Sequence, residues 1–171
     1  MSVITRIVGS VVRTTLQDEL KQTRPFKSVE EEALLSIART AAVIEHATSE
    51  ELKPFDLTLT QYNVLRILRG AGENGLCRNE VGERLVRRVP DVTRLLDRME
   101  GSGLITRKRG GSDRRFVTAL ITDKGLKVLE QIDRELPAIH RQLVGHVAQK
   151  HLRELIDLLE DVRSGARGQT P

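Results

Sequence analysis

The apolar pattern changes period at Gly101-Ser102-Gly103, and that change limits the folds open to this chain. Before it, Val92, Leu95, Leu96 and Met99 recur at spacings of three and four, the stripe of an amphipathic helix. After it, Leu104-Ile105-Thr106-Arg107-Lys108 and Phe116-Val117-Thr118-Ala119-Leu120-Ile121 read as two strands joined by the loop Arg109-Gly110-Gly111-Ser112-Asp113. Glycines just past a helical stripe end it. A further short helix is predicted from about Arg78 to Val86, followed by the brief link Arg87-Arg88-Val89. The next helix is expected to start at Pro90, where a missing N–H goes unnoticed in the first turn. Two short helices in tandem followed by a hairpin define a helix-turn-helix with a wing.

The flanking segments are helical. Ser28 with Glu31 forms a capping box, and Leu34, Leu35, Ile37, Ala38, Ala41, Ala42 and Ile44 carry the helix to about Leu52, where Pro54 stops it. Thr60 is expected to cap the following helix, whose buried side is Tyr62, Leu65, Ile67 and Leu68. Gly70 to Gly75 is a turn. Thr122 caps a last helical region bearing Leu126, Leu129, Ile132, Leu136, Ile139 and Leu143, interrupted or kinked near Pro137. A second stretch, from about Lys150 to Val162, repeats the pattern with Leu152, Leu155, Ile156 and Leu159. Ahead of Ser28, Val3, Ile4, Ile7, Val8, Val11 and Val12 suggest a short helix that is either an interface arm or a frayed tail. Ser164 to Pro171 is expected to be a disordered tail.

The expected fold is therefore mostly α with a small β-hairpin wing: a winged helix-turn-helix flanked by N- and C-terminal dimerisation helices. Its parts are an extension over 1–27, a dimerisation helix over 28–56, a DNA-binding domain over 57–121, C-terminal dimerisation helices over 122–163 and a tail over 164–171. Long helices with apolar stripes at opposite ends of a chain usually bury them against each other or a second subunit.

Composition narrows the function classes. There is no Trp, and Tyr62, Phe26, Phe55 and Phe116 are the only aromatics, so the core must be built from Leu, Ile, Val and Ala. Cys77 is the lone cysteine, which excludes an intramolecular disulfide framework and fits a reducing compartment. No stretch approaches the roughly 20 apolar residues of a membrane span. Arg6 and Arg13 interrupt the apolar N-terminus, against a signal peptide, so a cytoplasmic location is expected. His46, His140, His146 and His151 lack the spacing of metal ligands, and no nucleophile elbow or phosphate-binding glycine loop is present. No enzyme activity, metal or cofactor is expected.

Charge is localised. The net charge is +4, yet between Arg84 and Arg115 ten Lys or Arg face four acids, so the remainder is slightly acidic. Such a segment is an anion-binding surface or a solvated basic face. The helix at Pro90 turns Asp91, Thr93, Arg94 and Arg98 to its polar side, where they can meet bases or phosphates. Arg87 and Arg88, just before it, suit phosphates, beside the partial positive charge of the helix N-terminus. Arg107, Lys108, Arg109, Arg114 and Arg115 flank the hairpin loop, a wing able to follow the backbone and insert an arginine into a narrow minor groove. Asp113 there makes sense as an ion-pair partner that orients a neighbouring arginine. Two other functions remain open at this point. One is a protein–protein adaptor on the same scaffold, although that face lacks the aromatics a protein interface prefers at its centre. The other is an enzyme, which lacks any catalytic constellation.

The runs Asn79-Glu80-Val81-Gly82-Glu83-Arg84-Leu85, Val92-Thr93-Arg94-Leu95-Leu96-Asp97-Arg98-Met99-Glu100 and Gly103-Leu104-Ile105-Thr106-Arg107 together resemble the multiple-antibiotic-resistance regulator (MarR) family. So do Ser112-Asp113-Arg114-Arg115 and Leu120-Ile121-Thr122-Asp123-Lys124-Gly125. The resemblance spans about 30–162, and its specificity lies in the joint pattern. It implies a homodimer joined by its terminal helices. It implies a regulator, most often a repressor, on a pseudo-palindromic operator in double-stranded DNA, released by a small, often aromatic or phenolic ligand. It puts Thr93 and Arg94 on the recognition helix and makes Asp113 with Arg115 the Asp-x-Arg motif of the wing. The chain departs from the family in its longer segment before Ser28 and in Pro90-Asp91, where Ser or Asn-like residues are more usual. Cysteine sensors of the family carry their thiol in the first long helix, unlike Cys77. No residue pattern singles out an effector pocket.

Overall fold

Thr58-Leu59-Thr60-Gln61 shows how local chemistry sets an element boundary. In the computed structural model, which describes residues 14–109 and 117–168, helix α3 spans Leu59–Ala71 and its cap is Thr58. Thr58 Oγ1 accepts from the Gln61 N–H at 3.2 Å, and Gln61 Oε1 accepts from the Thr58 N–H at 2.8 Å. This box satisfies two orphan donors, which Thr60, already inside the first turn, cannot do. The cap expected at Thr60 therefore moves two residues upstream.

The remaining elements follow in chain order. They are α1 (Leu16–Glu19), α2 (Val29–Leu52), β1 (Leu76–Cys77), α4 (Arg78–Arg84), α5 (Val92–Gly101), β2 (Ile105–Arg109), β3 (Val117–Ile121), α6 (Asp123–Val144) and α7 (Gln149–Arg167). The chain divides into two compact units, up to residue 47 and from residue 48. In the first, Ser28 Oγ accepts from the Glu31 N–H at 3.2 Å, while the Glu31 carboxylate accepts from the Lys27 N–H at 2.7 Å. The expected capping box is thus closed one residue further out. Glu19 and Arg39 pair at 3.1 Å. Leu34, Ile37, Val43 and Ile44 of α2 remain exposed.

The second unit holds the core. Val64, Leu65 and Leu68 of α3, Val81 of α4, Leu95, Leu96 and Met99 of α5, and Leu129 and Ile132 of α6 are buried together. Each such side chain contributes about 1.5–3 kcal/mol. Tyr62 is buried with them, its ring beneath the Arg66 guanidinium at 5.8 Å and its hydroxyl without a hydrogen-bond partner among the described residues. Arg69 on α3 pairs with Asp133 on α6.

The sheet is antiparallel in the order β1-β3-β2. Leu76 pairs with Ala119, and Ile105 with Ile121 through to Arg109 with Val117. The hairpin is as expected, but β1 is an addition, and it ends on Cys77 just ahead of α4. Three further expectations change. α6 passes through Pro137 without interruption, because Leu136 and Ile139 are buried and packing outweighs one missing hydrogen bond. α7 continues beyond Ser164 to Arg167, where Gly168 closes it by donating to the Ser164 carbonyl. α5 begins at Val92, not Pro90. The helix expected from Val3 to Val12 and the loop over 110–113 lie outside the described residues.

The joint between α5, the sheet and α6 fixes the wing. Gly103, at φ +72°, ends α5 while Gly103 and Leu104 donate to the Glu100 and Met99 carbonyls. Thr122 Oγ1 donates to the Gly103 carbonyl at 2.7 Å and accepts from the Gly125 N–H at 3.2 Å. A Cβ on Gly125 would meet the Leu104 carbonyl oxygen at 2.4 Å and Ile121 Cγ1 at 2.8 Å. Gly125→Ala is therefore expected to destabilise by about 1–3 kcal/mol. Gly70→Ala, in open space on α3, should stabilise by up to about 1 kcal/mol. Thermal unfolding followed by circular dichroism checks both signs.

Candidate nucleic-acid interface

α4 and α5 are held at a fixed separation by the turn between them, and α3 holds that turn. Asn63 Oδ1 accepts from the Val86 N–H at 3.0 Å, a link across 23 positions of sequence. At the start of α4 the Cys77 N–H donates to Glu80 Oε2 at 2.7 Å. That backbone hydrogen bond, with a second from the Cys77 side chain, holds the Glu80 carboxyl below the usual range. Cys77 is half-buried and serves as the α4 cap residue.

The start of α5 depends on Asp91. Its carboxylate accepts from the Arg94 N–H at 2.8 Å, which makes Asp91 the cap and leaves Pro90 outside the helix. An N-terminal carboxylate satisfies an orphan donor and complements the helix dipole, an advantage proline in the first turn does not match. Leu95, Leu96 and Met99 face the core. Thr93, Arg94 and Arg98 are exposed on the other side, as are Arg87, Arg88 and Pro90 in the turn and Lys108 on β2. Arg98 Nε lies 3.4 Å from the Arg94 carbonyl. Asn79, Glu83, Arg88, Pro90 and Thr93 line an open cleft between α4 and α5. Asp113, Arg114 and Arg115 lie outside the described residues.

Two residues matter more than the sequence suggests. Arg78, first in α4, reaches Thr93 Oγ1 at 3.4 Å and so ties the two helices. Arg107, counted with the wing's outward charges on sequence, turns inward. Strand side chains alternate between faces, so Arg107 shares the side of buried Ile105 while Lys108 shares that of exposed Thr106. Its guanidinium meets Asp97 at 2.7 Å. The alternation was the available signal.

This arrangement, an amphipathic second helix with Arg94 and Arg98 exposed on its polar side, a turn held by α3 and a strand hairpin, defines a winged helix-turn-helix DNA-binding protein. The MarR family model matches residues 57–117. The HTH-type transcriptional regulator TtmR of Methylorubrum extorquens is 31% identical over 137 residues, 80% of this chain and 68% of that protein. The chain belongs to the MarR family. A MarR transcription factor from Planctomyces limnophilus is 37% identical in its crystal structure, with a TM-score of 0.61 over 80% of this chain and 98% of the other. At lower identity the fold is shared with a mutant MarR from E. coli complexed with operator DNA (24%, TM-score 0.69, 87% and 99% covered). It is also shared with an organohalide-sensing transcriptional regulator in its 2,4-dichlorophenol-bound form (21%, TM-score 0.74, 84% and 87% covered). The family comprises transcriptional regulators that bind DNA, not enzymes. Among the described residues no helix is long and apolar enough to cross a membrane.

Proposed function

We propose that this regulator is a cytoplasmic homodimeric repressor that binds a pseudo-palindromic operator and is released by a small aromatic or phenolic ligand. The observation that carries the DNA-reading part is the exposed Arg94 on the polar side of α5, for which no side-chain partner is found among the described residues. Thr93 and Arg94 read base edges. Arg87, Arg88, Arg98 and Lys108 neutralise phosphates. Pro90 and Asp91 set where the helix enters the groove. Asp113, Arg114 and Arg115, from the wing motif of the sequence, add further DNA contacts, with Asp113 orienting Arg115. The exposed apolar faces of α2 and of α7 are each covered by a second copy. The 28–56 and 122–163 segments serve dimerisation around the 57–121 DNA-binding domain.

Release by a ligand is supported by the shared fold of the dichlorophenol-bound regulator and by one feature of this chain. A cleft of ≈ 230 Å³ between α5 and the sheet is walled by Leu96, Val117 and Ala119 with Arg78 and Arg107 at its polar side. A ligand there would press on both DNA-reading elements.

Selection from random duplexes tests this function. An inverted repeat is expected, with half-sites about 10–10.5 bp apart or a multiple of that. Arg94→Ala should cost about 1–3 kcal/mol and relax the preference at one base pair. Adding 2,4-dichlorophenol to the selected complex should weaken it. No enrichment of any sequence would favour an adaptor function instead.

A further inference from the structure

Arg107 lies along one face of α5 rather than on the outside of the wing. From β2 its Nη2 donates to the Thr93 carbonyl at 3.4 Å and meets Asp97 Oδ1 at 2.7 Å, while Nε stands 3.7 Å from Glu100 Oε2. Thr93, Asp97 and Glu100 are spaced by four and three, so they stack on one side of the helix. One guanidinium therefore spans two turns of α5. Its side chain is 23% exposed, against 56% for Asp97, so its charge sits inside the joint between helix and strand. Asp97 and Glu100 in turn place two carboxylates on a helix that approaches DNA phosphates, and the arginine offsets them.

We propose that Arg107 is a positioning residue that locks the recognition helix to the first strand of the wing. It fixes the distance between the base-reading and wing contacts, so that a duplex must satisfy both at once. This rests on α5 being the base-reading helix. Without the lock each element still binds DNA, but the two no longer demand a common register. Selectivity between sequences then falls, while the number of phosphates neutralised stays the same.

The test uses the full-length protein, its selected operator and a scrambled duplex of equal length, each titrated at several salt concentrations. Arg107→Gln and Asp97→Asn are each expected to weaken operator binding about fivefold, the scale of a coupled contact. Scrambled-duplex binding and the salt slope should hardly change. Exchanging the pair, Arg107→Asp with Asp97→Arg, should restore part of the discrimination. Arg107→Lys keeps the charge but lacks the planar fork, so it should fold and still discriminate less than the parent. The proposal is overturned if Arg107→Gln lowers the salt slope by about one and Asp97→Asn tightens both duplexes, since Arg107 is then a phosphate contact. It also falls if both duplexes lose affinity equally, the melting temperature drops and the exchange rescues nothing. A parent that binds both duplexes equally instead removes the base-reading role of α5, and this proposal with it.

Discussion

Raising the salt from 50 to 200 mM is expected to reduce operator affinity by about three to five decades. Each phosphate neutralised releases condensed counterions, so log affinity falls with log salt at a slope of about −0.9 per contact. Apart from the base-reading Arg94, the described residues offer Arg87, Arg88, Arg98 and Lys108 as exposed cations. Three of these per subunit, or all four together with Arg115, correspond to roughly six to ten contacts per proposed dimer, enough for a loss of that size. Arg107 is left out of this count because its side chain is turned into the joint with α5 and only 23% exposed. Fluorescence anisotropy across a salt series measures the slope directly. A flat response would mean that the basic surface does not meet the backbone.

Replacing Leu155 and Ile156 together with Glu is expected to yield monomers. Leu152, Leu155, Ile156, Leu159 and Val162 recur along α7 at helical spacing, yet Leu155, Ile156 and Val162 stay about half exposed in the single chain. Isolated apolar residues on a surface need no explanation, but a stripe along a helix does. Charges placed in it would split the proposed dimer. Operator affinity should then drop by about two to four decades, the gain that linking two half-site contacts provides. Affinity for a lone half-site should barely change. Sedimentation velocity beside binding to whole and half operators checks both. A double variant that still sediments as a dimer would place the interface elsewhere.

The sequence read the elements well where one periodic signal dominated and less well where short-range rules competed. Val92, Leu95, Leu96 and Met99 marked the body of α5 by their spacing, and Thr122 marked the start of α6, where apolar spacing and capping agreed. At Pro90-Asp91 two first-turn preferences collided, and the carboxylate won because it accepts a hydrogen bond that proline cannot. Thr58 and Thr60 posed the same problem, decided by Gln61 at the reciprocal position. β1 is too short for any alternation to show and exists because β3 supplies its partner. For the interface, the exposed positions of Arg94 and Arg98 followed from the amphipathic pattern of α5, and those of Arg87, Arg88 and Lys108 from their places in the link before it and beside the hairpin loop. The inward turn of Arg107 needed only the parity of Ile105 and Arg107, but a run of basic residues suggested one shared role for all of them. What pattern could not give is Asn63 holding the Val86 amide or Arg78 reaching Thr93, since both depend on how helices distant in sequence cross.

Tyr62 has a practical consequence of another kind. The chain has no tryptophan, and this is its only tyrosine. Its ring sits in the core on α3, under the Arg66 guanidinium, on the helix whose Asn63 holds the α4–α5 turn. Excited beyond the absorption of its phenylalanines, the protein thus carries a single native fluorophore at the foot of its DNA-reading machinery. Its ultraviolet emission belongs to one place in the fold, so loosening of that helix can be followed optically without a label.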